Sequence, residues 1–159
     1  MLKDKRSRKI AIVAHCILNQ NSRLFGLAER SRAIAEIVEF LILNDMGIIQ
    51  IPCPELTYAG ILRKSQTKNQ YGDAKFRKHC KKIAEETVEQ IQEYSKGKIK
   101  ATIIIGVDGS PSCGITDSGI LIEELRSMLK KKGLTMSFYG IRYERLSEDL
   151  AKLRKLIRN

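Results

Sequence analysis

Short, mainly apolar runs alternate along this chain with longer segments in which apolar residues recur at helical spacing. Four runs, at residues 10–14, 48–51, 101–107 and 134–141, are predicted to be strands. The first and third runs contain almost no polar residue, which is typical of a strand covered on both faces of a sheet. The pattern therefore predicts a buried sheet with helices packed against it.

The segments between and after these runs each carry an apolar stripe with a period near 3.6 residues, which predicts four helices. The longest stripe lies between Asp73, a predicted N-cap, and Gly97, where the helix is expected to end. Gly47 is the predicted C′ residue of the first helix. Residues 116–118 offer cap oxygens to the third helix, and Ser147 is expected to start the fourth.

The order of these elements, βαβαβαβα, predicts the fold class. Strands that alternate with helices form a parallel sheet with right-handed crossovers. We therefore expect a single α/β domain over residues 1–159, with a Rossmann-like three-layer arrangement and a four-stranded, mainly parallel sheet. Two long polar connections, 15–30 and 55–72, are predicted to be loops, and the second is long enough to suggest a lid.

Composition narrows the class of protein. The 159 residues are 43% hydrophobic and 30% charged, which fits one soluble domain. The formal net charge of +11 favours anionic partners such as nucleotides or RNA. No apolar run is long enough to span a membrane, and no signal peptide is recognised. We therefore expect a cytoplasmic protein without a membrane partner, in which the four cysteines do not form structural disulfides.

Three of the four cysteines follow predicted strands. Cys16, Cys53 and Cys113 lie shortly after residues 14, 51 and 107. Because parallel strands end at the same edge of a sheet, where ligands bind, we expect these thiols to gather there. The fourth cysteine, Cys80, lies on the apolar stripe of the second helix and is predicted to be a buried core residue.

Three converging thiols admit several uses. They fit simple burial, a structural zinc with His15 or a carboxylate as fourth ligand, and a catalytic zinc. They also fit an iron–sulfur cluster in which one iron lacks a protein ligand. The turns favour a cofactor over burial, because Pro52 and Pro54 fix the direction of the thiol between them.

The segments around the three thiols resemble those of a known family. His-Cys-Ile-Leu-Asn (15–19), Pro-Cys-Pro-Glu (52–55) and Gly-Ser-Pro-Ser-Cys-Gly (109–114) are similar to the DUF523 or thiouracil desulfurase (TudS) proteins. The longer forms HCILNQNSR and GVDGSPSCG look closest to a TudS-related desulfidase branch. The resemblance extends from residue 10 to about residue 120 and includes all three thiols in order.

The resemblance implies a cofactor and a reaction. The cofactor is a [4Fe-4S] cluster on Cys16, Cys53 and Cys113, whose fourth iron binds the sulfur of a thiocarbonyl. The implied enzyme is a desulfidase that removes sulfur from a thiolated pyrimidine, such as thiouracil or a 4-thiouridine nucleotide. Oxygen from water replaces that sulfur without net redox change, and a soft iron suits the task because it prefers sulfur to oxygen.

Two departures from the family bear on the substrate. The connection after Cys53 lacks the Gly-Leu-Pro-x-Pro-Arg pattern of the thiouracil enzymes and is basic instead. Its residues Arg63, Lys64 and Lys68 would suit a phosphorylated thionucleoside better than free thiouracil. The chain also lacks the additional C-terminal domain of some relatives, so a small molecule is expected before tRNA, although tRNA stays a candidate partner.

Polar residues near the thiols are the candidate catalytic and substrate-binding groups. Glu55, two residues past Cys53, is the nearest candidate base, and Asp108 is a second candidate acid or base. Ser110 is expected to orient the substrate or to relay a proton. The residues predicted to bind substrate, at a pyrimidine edge or a phosphate, are Asn19, Asn21, Arg23 and Ser112.

Other classes of protein compete with the desulfidase. A non-catalytic iron–sulfur or zinc binding module would keep the three thiols and tolerate loss of Glu55. A small basic RNA-binding domain would use the positive charge alone. A cysteine-dependent phosphatase is disfavoured, because six residues separate Cys16 from Arg23 where its phosphate loop needs five.

Overall fold

The computed structural model describes residues 3–158, which form four strands and seven α-helices. The strands are β1 (Lys9–Ala14), β2 (Gly47–Ile51), β3 (Lys100–Val107) and β4 (Ser137–Ile141). The helices are α1 (His15–Leu18), α2 (Ala35–Leu43), α3 (Pro54–Ala59), α4 (Lys68–Tyr71), α5 (Ala74–Lys96), α6 (Ile120–Lys131) and α7 (Leu146–Arg158). Two 3-10 helices span Gln20–Ser22 and Tyr143–Arg145. None of the helices in residues 3–158 combines the length and apolarity that crossing a membrane requires.

The four strands pair in parallel in the order β2-β1-β3-β4. Ile12, at the middle of β1, is fully buried between Ile49 of β2 and Ile104 of β3. The predicted α/β class with a Rossmann-like, three-layer parallel sheet is therefore confirmed. Because β2 and β3 lie on opposite sides of β1, the strand order reverses between β1 and β3, which is where such sheets form a ligand crevice.

The helices cover both faces of the sheet. Helices α5 and α6 pack against each other, and α2 packs against α7, as right-handed crossovers on opposite faces require. The stripe of α5 is buried as predicted, and Cys80 within it has no exposed surface. Asp73 accepts a hydrogen bond from the Phe76 amide at 2.7 Å, and Gly97 ends the helix, so both predicted boundaries are confirmed.

The predicted end of the first helix is wrong. Helix α2 ends at Leu43, and Gly47 opens β2 instead of closing the helix. Asp45 takes the left-handed conformation, with φ of 57°, which Asp adopts more readily than most residues. The Asn44 side chain donates to the Phe40 carbonyl at 2.7 Å, so a side-chain cap ends the helix where a glycine was expected.

The predicted N-cap of α6 within residues 116–118 is also wrong. The N-cap is Gly119, which has no side chain to donate or accept. The amide of Ile120 bonds to the Pro111 carbonyl at 3.0 Å and that of Ile122 to the Ser112 carbonyl at 3.3 Å. The turn that precedes Cys113 thus satisfies the first amides of α6, so no cap side chain is required.

The two long connections are more ordered than predicted. Residues 15–30 contain α1 and a 3-10 helix, and residues 55–72 contain α3 and α4. The second connection is fixed at Lys68, whose ammonium group donates to the Ser118 carbonyl at 2.6 Å and contacts the Glu123 carboxylate. Arg77 of α5 bonds to the same carboxylate at 3.0 Å, so the segment is bound to both α5 and α6.

Candidate functional site

One pocket of about 280 Å³ lies where the carboxyl ends of the four strands meet. Cys16 follows β1, Cys53 follows β2 and Cys113 lies in the turn after β3, and all three line this pocket. Two loops complete its walls with Arg23, Leu24, Leu27, Arg63, Ser65 and Gln66. The parallel sheet therefore brings together three thiols that are far apart in the sequence.

Each thiol is held by its own local structure. Cys53 is the N-cap of α3, and its Sγ accepts a hydrogen bond from the Leu56 amide at 3.4 Å. Cys16 lies in the first turn of α1. The Cys113 carbonyl accepts from the Val107 amide at 3.1 Å and passes so close to Gly106 that an added Cβ there would lie 2.0 Å from it. Glycine at 106 is therefore required for this turn to pack on β3.

The thiols influence one another electrostatically. Burial raises the pKa of Cys16, of Cys53 and, most strongly, of Cys113 above the ordinary value for a thiol. Negative charge on Cys16 and Cys53 would raise the pKa of Cys113 further, whereas Arg23 partly offsets the effect at Cys16. None of the four cysteines forms a disulfide. A cation bound here would replace their protons, because the thiolate is the metal-binding form.

The set of donor atoms favours a soft metal. Three sulfur atoms line the pocket, and thiolates select Zn, Cu(I) or iron–sulfur clusters over hard cations. His15 also lines the pocket, but its Nδ1 lies 2.6 Å from Gln50 Oε1. Within residues 3–158, no group of three or more His, Cys, Asp or Glu side chains stands ready to hold a metal ion. The chemistry of the donors therefore fits an iron–sulfur cofactor, while a preformed cage for one ion is absent from the described residues.

Glu55 lines the pocket beside the thiols. Its Oε2 accepts a hydrogen bond from Ser112 Oγ at 2.9 Å, and Ser112 is fully buried. The buried Tyr71 hydroxyl lies near the same carboxylate: burial and then the charge of Glu55 raise the pKa of Tyr71. The hydrogen bond from Ser112 thus orients the carboxylate of Glu55.

The carboxylate of Asp108 is occupied by structural hydrogen bonds, which make it less suitable as a catalytic base. Its carboxylate accepts bonds from the Ile115 amide at 2.9 Å, the Thr116 amide at 3.0 Å and Thr116 Oγ1 at 2.6 Å. Arg142 Nε lies 3.7 Å from it. Burial favours the protonated form, but these bonds outweigh it and hold the pKa of Asp108 below its usual range. The residue closes the turn after Cys113, although it also lines the pocket.

We expect Asp108→Asn to destabilise the fold by about 1–3 kcal/mol at neutral pH, because a buried hydrogen-bonded charge is lost. The pKa of Asp108 in the folded protein lies below its ordinary value of 3.8, so this stability is present above the unfolded pKa and is lost as pH falls through the folded one. The difference in urea stability between wild type and variant should therefore begin to shrink below about pH 4 and should vanish only below the pKa of Asp108 in the folded protein. Asp117→Asn, at an exposed position, is the control, and equal stability of Asp108→Asn and wild type at pH 7 would contradict this role.

Ser110 shapes the cysteine turn. Its Oγ accepts from the amides of Ser112 at 3.3 Å and Cys113 at 3.1 Å. The residue also lines the pocket. A role for Ser110 in proton relay stays a prediction, whereas its bonds to the turn are present in the structure.

The residues predicted to bind substrate are distributed differently. Arg23 lines the pocket, where its guanidinium carbon lies 5.2 Å from the centre of the Tyr143 ring. Asn19 Oδ1 accepts from the Asn21 amide at 3.1 Å and from Asn21 Nδ2 at 3.0 Å, so this pair closes the 3-10 helix outside the pocket lining. Ser112 lies behind Glu55 and has no exposed surface.

Two residues of the pocket have contacts that the sequence does not predict. Tyr143 follows the end of β4 by two residues, so the rule that located the cysteines after strands could have found it. Arg63 donates from Nη2 to the Ser22 carbonyl at 2.8 Å and so joins the two loops that wall the pocket. Its Nε is buried and has no hydrogen-bond partner among the described residues.

A parallel α/β sheet with a thiol-lined crevice at its carboxyl edge defines a class of ligand-binding α/β protein. Within that class, residues 8–156 match the model of the family described as "Putative 2-thiouracil desulfurase". The match covers most of the chain, and the chain belongs to this family.

A curated relative supports the assignment. The chain is 41% identical over 153 residues to "Uncharacterized protein MJ0003" of Methanocaldococcus jannaschii, and the alignment covers 96% of each protein. The comparison with solved structures found no match. The resemblance of the cysteine segments to the thiouracil desulfurase family is thereby confirmed.

Proposed function

We propose that this protein is a desulfidase that hydrolyses the C=S group of a thiolated pyrimidine. The observation that carries the proposal is one pocket lined by three thiols and by the carboxylate of Glu55. The description of the family names 2-thiouracil, which belongs to this substrate class. In the reaction, the carbon–sulfur bond breaks, a carbon–oxygen bond forms from water, and sulfide leaves with the protons of that water.

The cofactor of the proposal is a [4Fe-4S] cluster on Cys16, Cys53 and Cys113. When bound, the cluster supplies a soft Lewis acid that attracts the sulfur of the substrate and makes the adjoining carbon more electrophilic. No group of three His, Cys, Asp or Glu side chains among residues 3–158 could hold one metal ion, so a cofactor larger than one ion suits the thiols better than a single zinc. The remainder of the pocket, walled by Arg23 and Arg63, is left for the substrate.

Glu55 is the proposed general base. It accepts a proton from the attacking water. General-base catalysis by a positioned carboxylate typically raises the reaction rate by about 10²–10⁴-fold. Ser112 holds one carboxylate oxygen at 2.9 Å, which leaves the other oxygen for water. Asp108 is the less suitable base, because its oxygens already accept from Ile115 and Thr116.

Arg63 and Arg23 are proposed to bind the polar side of the substrate. Arg63 lines the pocket, so its guanidinium group is placed to donate to an acceptor oxygen of the substrate. Two guanidinium groups in one pocket favour a ligand with an anionic group, such as a thionucleotide, over a neutral base. Both Asn19 and Asn21 support the loop that carries Arg23 rather than contacting the ligand.

Sulfide release from candidate substrates tests the proposal. Protein reconstituted anaerobically with iron and sulfide would be mixed with thiouracil, 4-thiouridine, its monophosphate and thiolated tRNA. We expect a brown protein that releases sulfide from at least one small thiolated pyrimidine. A cluster-bearing protein inactive on all of them would favour the non-catalytic iron–sulfur module. A colourless protein that retains zinc would favour the zinc module, and RNA binding without a cluster would favour the RNA-binding domain.

A further inference from the structure

Tyr143 reaches the pocket from the end of β4, the one strand that is not followed by a pocket cysteine. It begins the 3-10 helix Tyr143–Arg145, directly after β4, and it lines the pocket. Its hydroxyl oxygen lies 3.9 Å from the Sγ of Cys16, within reach of an O–H···S hydrogen bond. Sulfur is a weak acceptor as a thiol, but as a metal-bound thiolate it is a charged one, and hydrogen bonds to ionised groups are the stronger kind.

Gln20 decides which way the Tyr143 hydroxyl points. Gln20 is 1% exposed, and its Nε2 donates to the Cys16 carbonyl at 2.6 Å and to the Tyr143 oxygen at 3.2 Å. Its Oε1 accepts from the Glu29 amide at 2.9 Å, which fixes the orientation of the side-chain amide. Because the Tyr143 oxygen already accepts a hydrogen bond, its own proton is available to donate, and the Cys16 sulfur is the partner in reach.

Arg23 holds the ring of the same tyrosine. Its guanidinium carbon lies 5.2 Å from the ring centre, a cation–π arrangement. The Arg23 Nε donates to the Leu27 carbonyl at 3.3 Å, which anchors the cation in its loop. The ring is thus fixed by Arg23 and the hydroxyl by Gln20, so the O–H group is aimed at Cys16 before any cofactor binds.

We propose that Tyr143 is a positioning residue that donates a hydrogen bond to the Cys16 sulfur and so tunes the cofactor bound by the three thiols. The inference rests on the proposed iron–sulfur cluster. Hydrogen bonds to the sulfurs of such clusters are among the determinants of their reduction potential. A donated hydrogen bond withdraws electron density from the thiolate, which stabilises the reduced cluster and weakens the bond between iron and the Cys16 sulfur.

Tyr143→Phe tests this role, because it removes the hydroxyl and keeps the ring next to Arg23. We expect unchanged iron and sulfide content, a cluster reduction potential shifted to more negative values, and Fe–S(Cys) stretching bands at higher frequency in resonance Raman spectra. Tyr139→Phe is the matched control. It also removes a tyrosine hydroxyl at β4, but that hydroxyl donates to Asp149 at 2.6 Å and lies outside the pocket lining.

The outcomes separate this inference from the proposed function. If wild-type protein takes up no cluster, the proposed cofactor and the role of Tyr143 both fail. If the cluster forms and Tyr143→Phe matches wild type and Tyr139→Phe in potential and in Raman frequencies, only the role of Tyr143 is overturned. An equal shift in both variants would also overturn it, because the effect would then come from β4 as a whole.

Discussion

We expect Cys16→Ala, Cys53→Ala and Cys113→Ala each to abolish the brown colour and the release of sulfide, whereas Cys80→Ala retains both. The first three residues line the pocket, and Cys80 lies in the core of α5 without exposed surface. Loss of a partner outside the ligand shell typically costs about 10–100-fold in metal affinity or activity, and loss of a ligand should exceed that. Iron, acid-labile sulfide and the visible spectrum measure the cluster, and sulfide release measures activity.

Folding of these variants is checked by circular dichroism. Cys80 has no exposed surface and lies outside the pocket lining, so its thiol is not placed to be a ligand. A cavity left by Cys80→Ala should lower stability moderately without removing the cofactor. Loss of the cluster from folded Cys80→Ala would mean that the fourth thiol is a ligand, and its retention in a pocket variant would remove that cysteine from the site.

We expect Glu55→Gln to lower the rate of sulfide release by about 10²–10⁴-fold, the usual contribution of a general base. The amide keeps the size of the side chain and can still accept from Ser112 Oγ, but it cannot take a proton from water. Iron content, sulfide content and substrate affinity should stay close to wild type. The measurement is the turnover number with the best substrate found in the screen, together with the dissociation constant of that substrate.

Glu86→Gln is the matched control for this prediction. Glu86 is exposed on α5, away from the pocket lining, so its loss removes one negative charge without touching the site. Ser112→Ala should give a smaller loss of activity than Glu55→Gln, because it only releases the carboxylate from its hydrogen bond. Full activity of Glu55→Gln would exclude this residue as the base and would leave Asp108, the second candidate, as the next residue to test.

The sequence predicts the sheet well because its two central strands, β1 and β3, are almost wholly buried. Ile103, Ile104 and Ile105 are buried on both sides of β3, and a short apolar run bounded by glycine and polar residues is typical of such a strand. The alternation with helices then implies parallel pairing, and parallel pairing implies that the residues after each strand share one edge. That reasoning locates Cys16, Cys53 and Cys113 at one pocket although no short metal-binding motif joins them.

What the sequence could not predict depends on contacts between distant segments. The N-terminus of α6 is satisfied by the carbonyls of Pro111 and Ser112, so the cap residues that a local rule seeks are not used. Asp108 looks like a candidate base in the sequence, and only the fold reveals that Thr116 and Arg142 surround its carboxylate. Local sequence propensity predicts neither the N-terminus of α6 nor the partners of Asp108, because these contacts form only when the turn folds back on itself.

The contacts of Tyr143 and Arg63 escape the sequence for a related reason. Tyr143 lies in a segment typical of any α/β protein, and no motif marks its hydroxyl as a partner of a thiol 127 positions away. The charge of Arg63 predicts an anionic ligand, but its link to the Ser22 carbonyl joins residues 41 positions apart and depends on the fold. Strand ends should therefore be searched for every polar side chain, including aromatic hydroxyls.

The dispersal of the three thiols over separate strand ends has a consequence for biogenesis. No short stretch of the chain contains two of these thiols, so if the proposed iron–sulfur cluster is the cofactor, an unfolded nascent chain would bind iron weakly. Long-range pairing of β1 with β2 and β3 must come first, and such non-local pairing is slow. Insertion of the cluster would then follow tertiary folding, and a scaffold protein that delivers iron would bind at a folded pocket rather than at a flexible peptide.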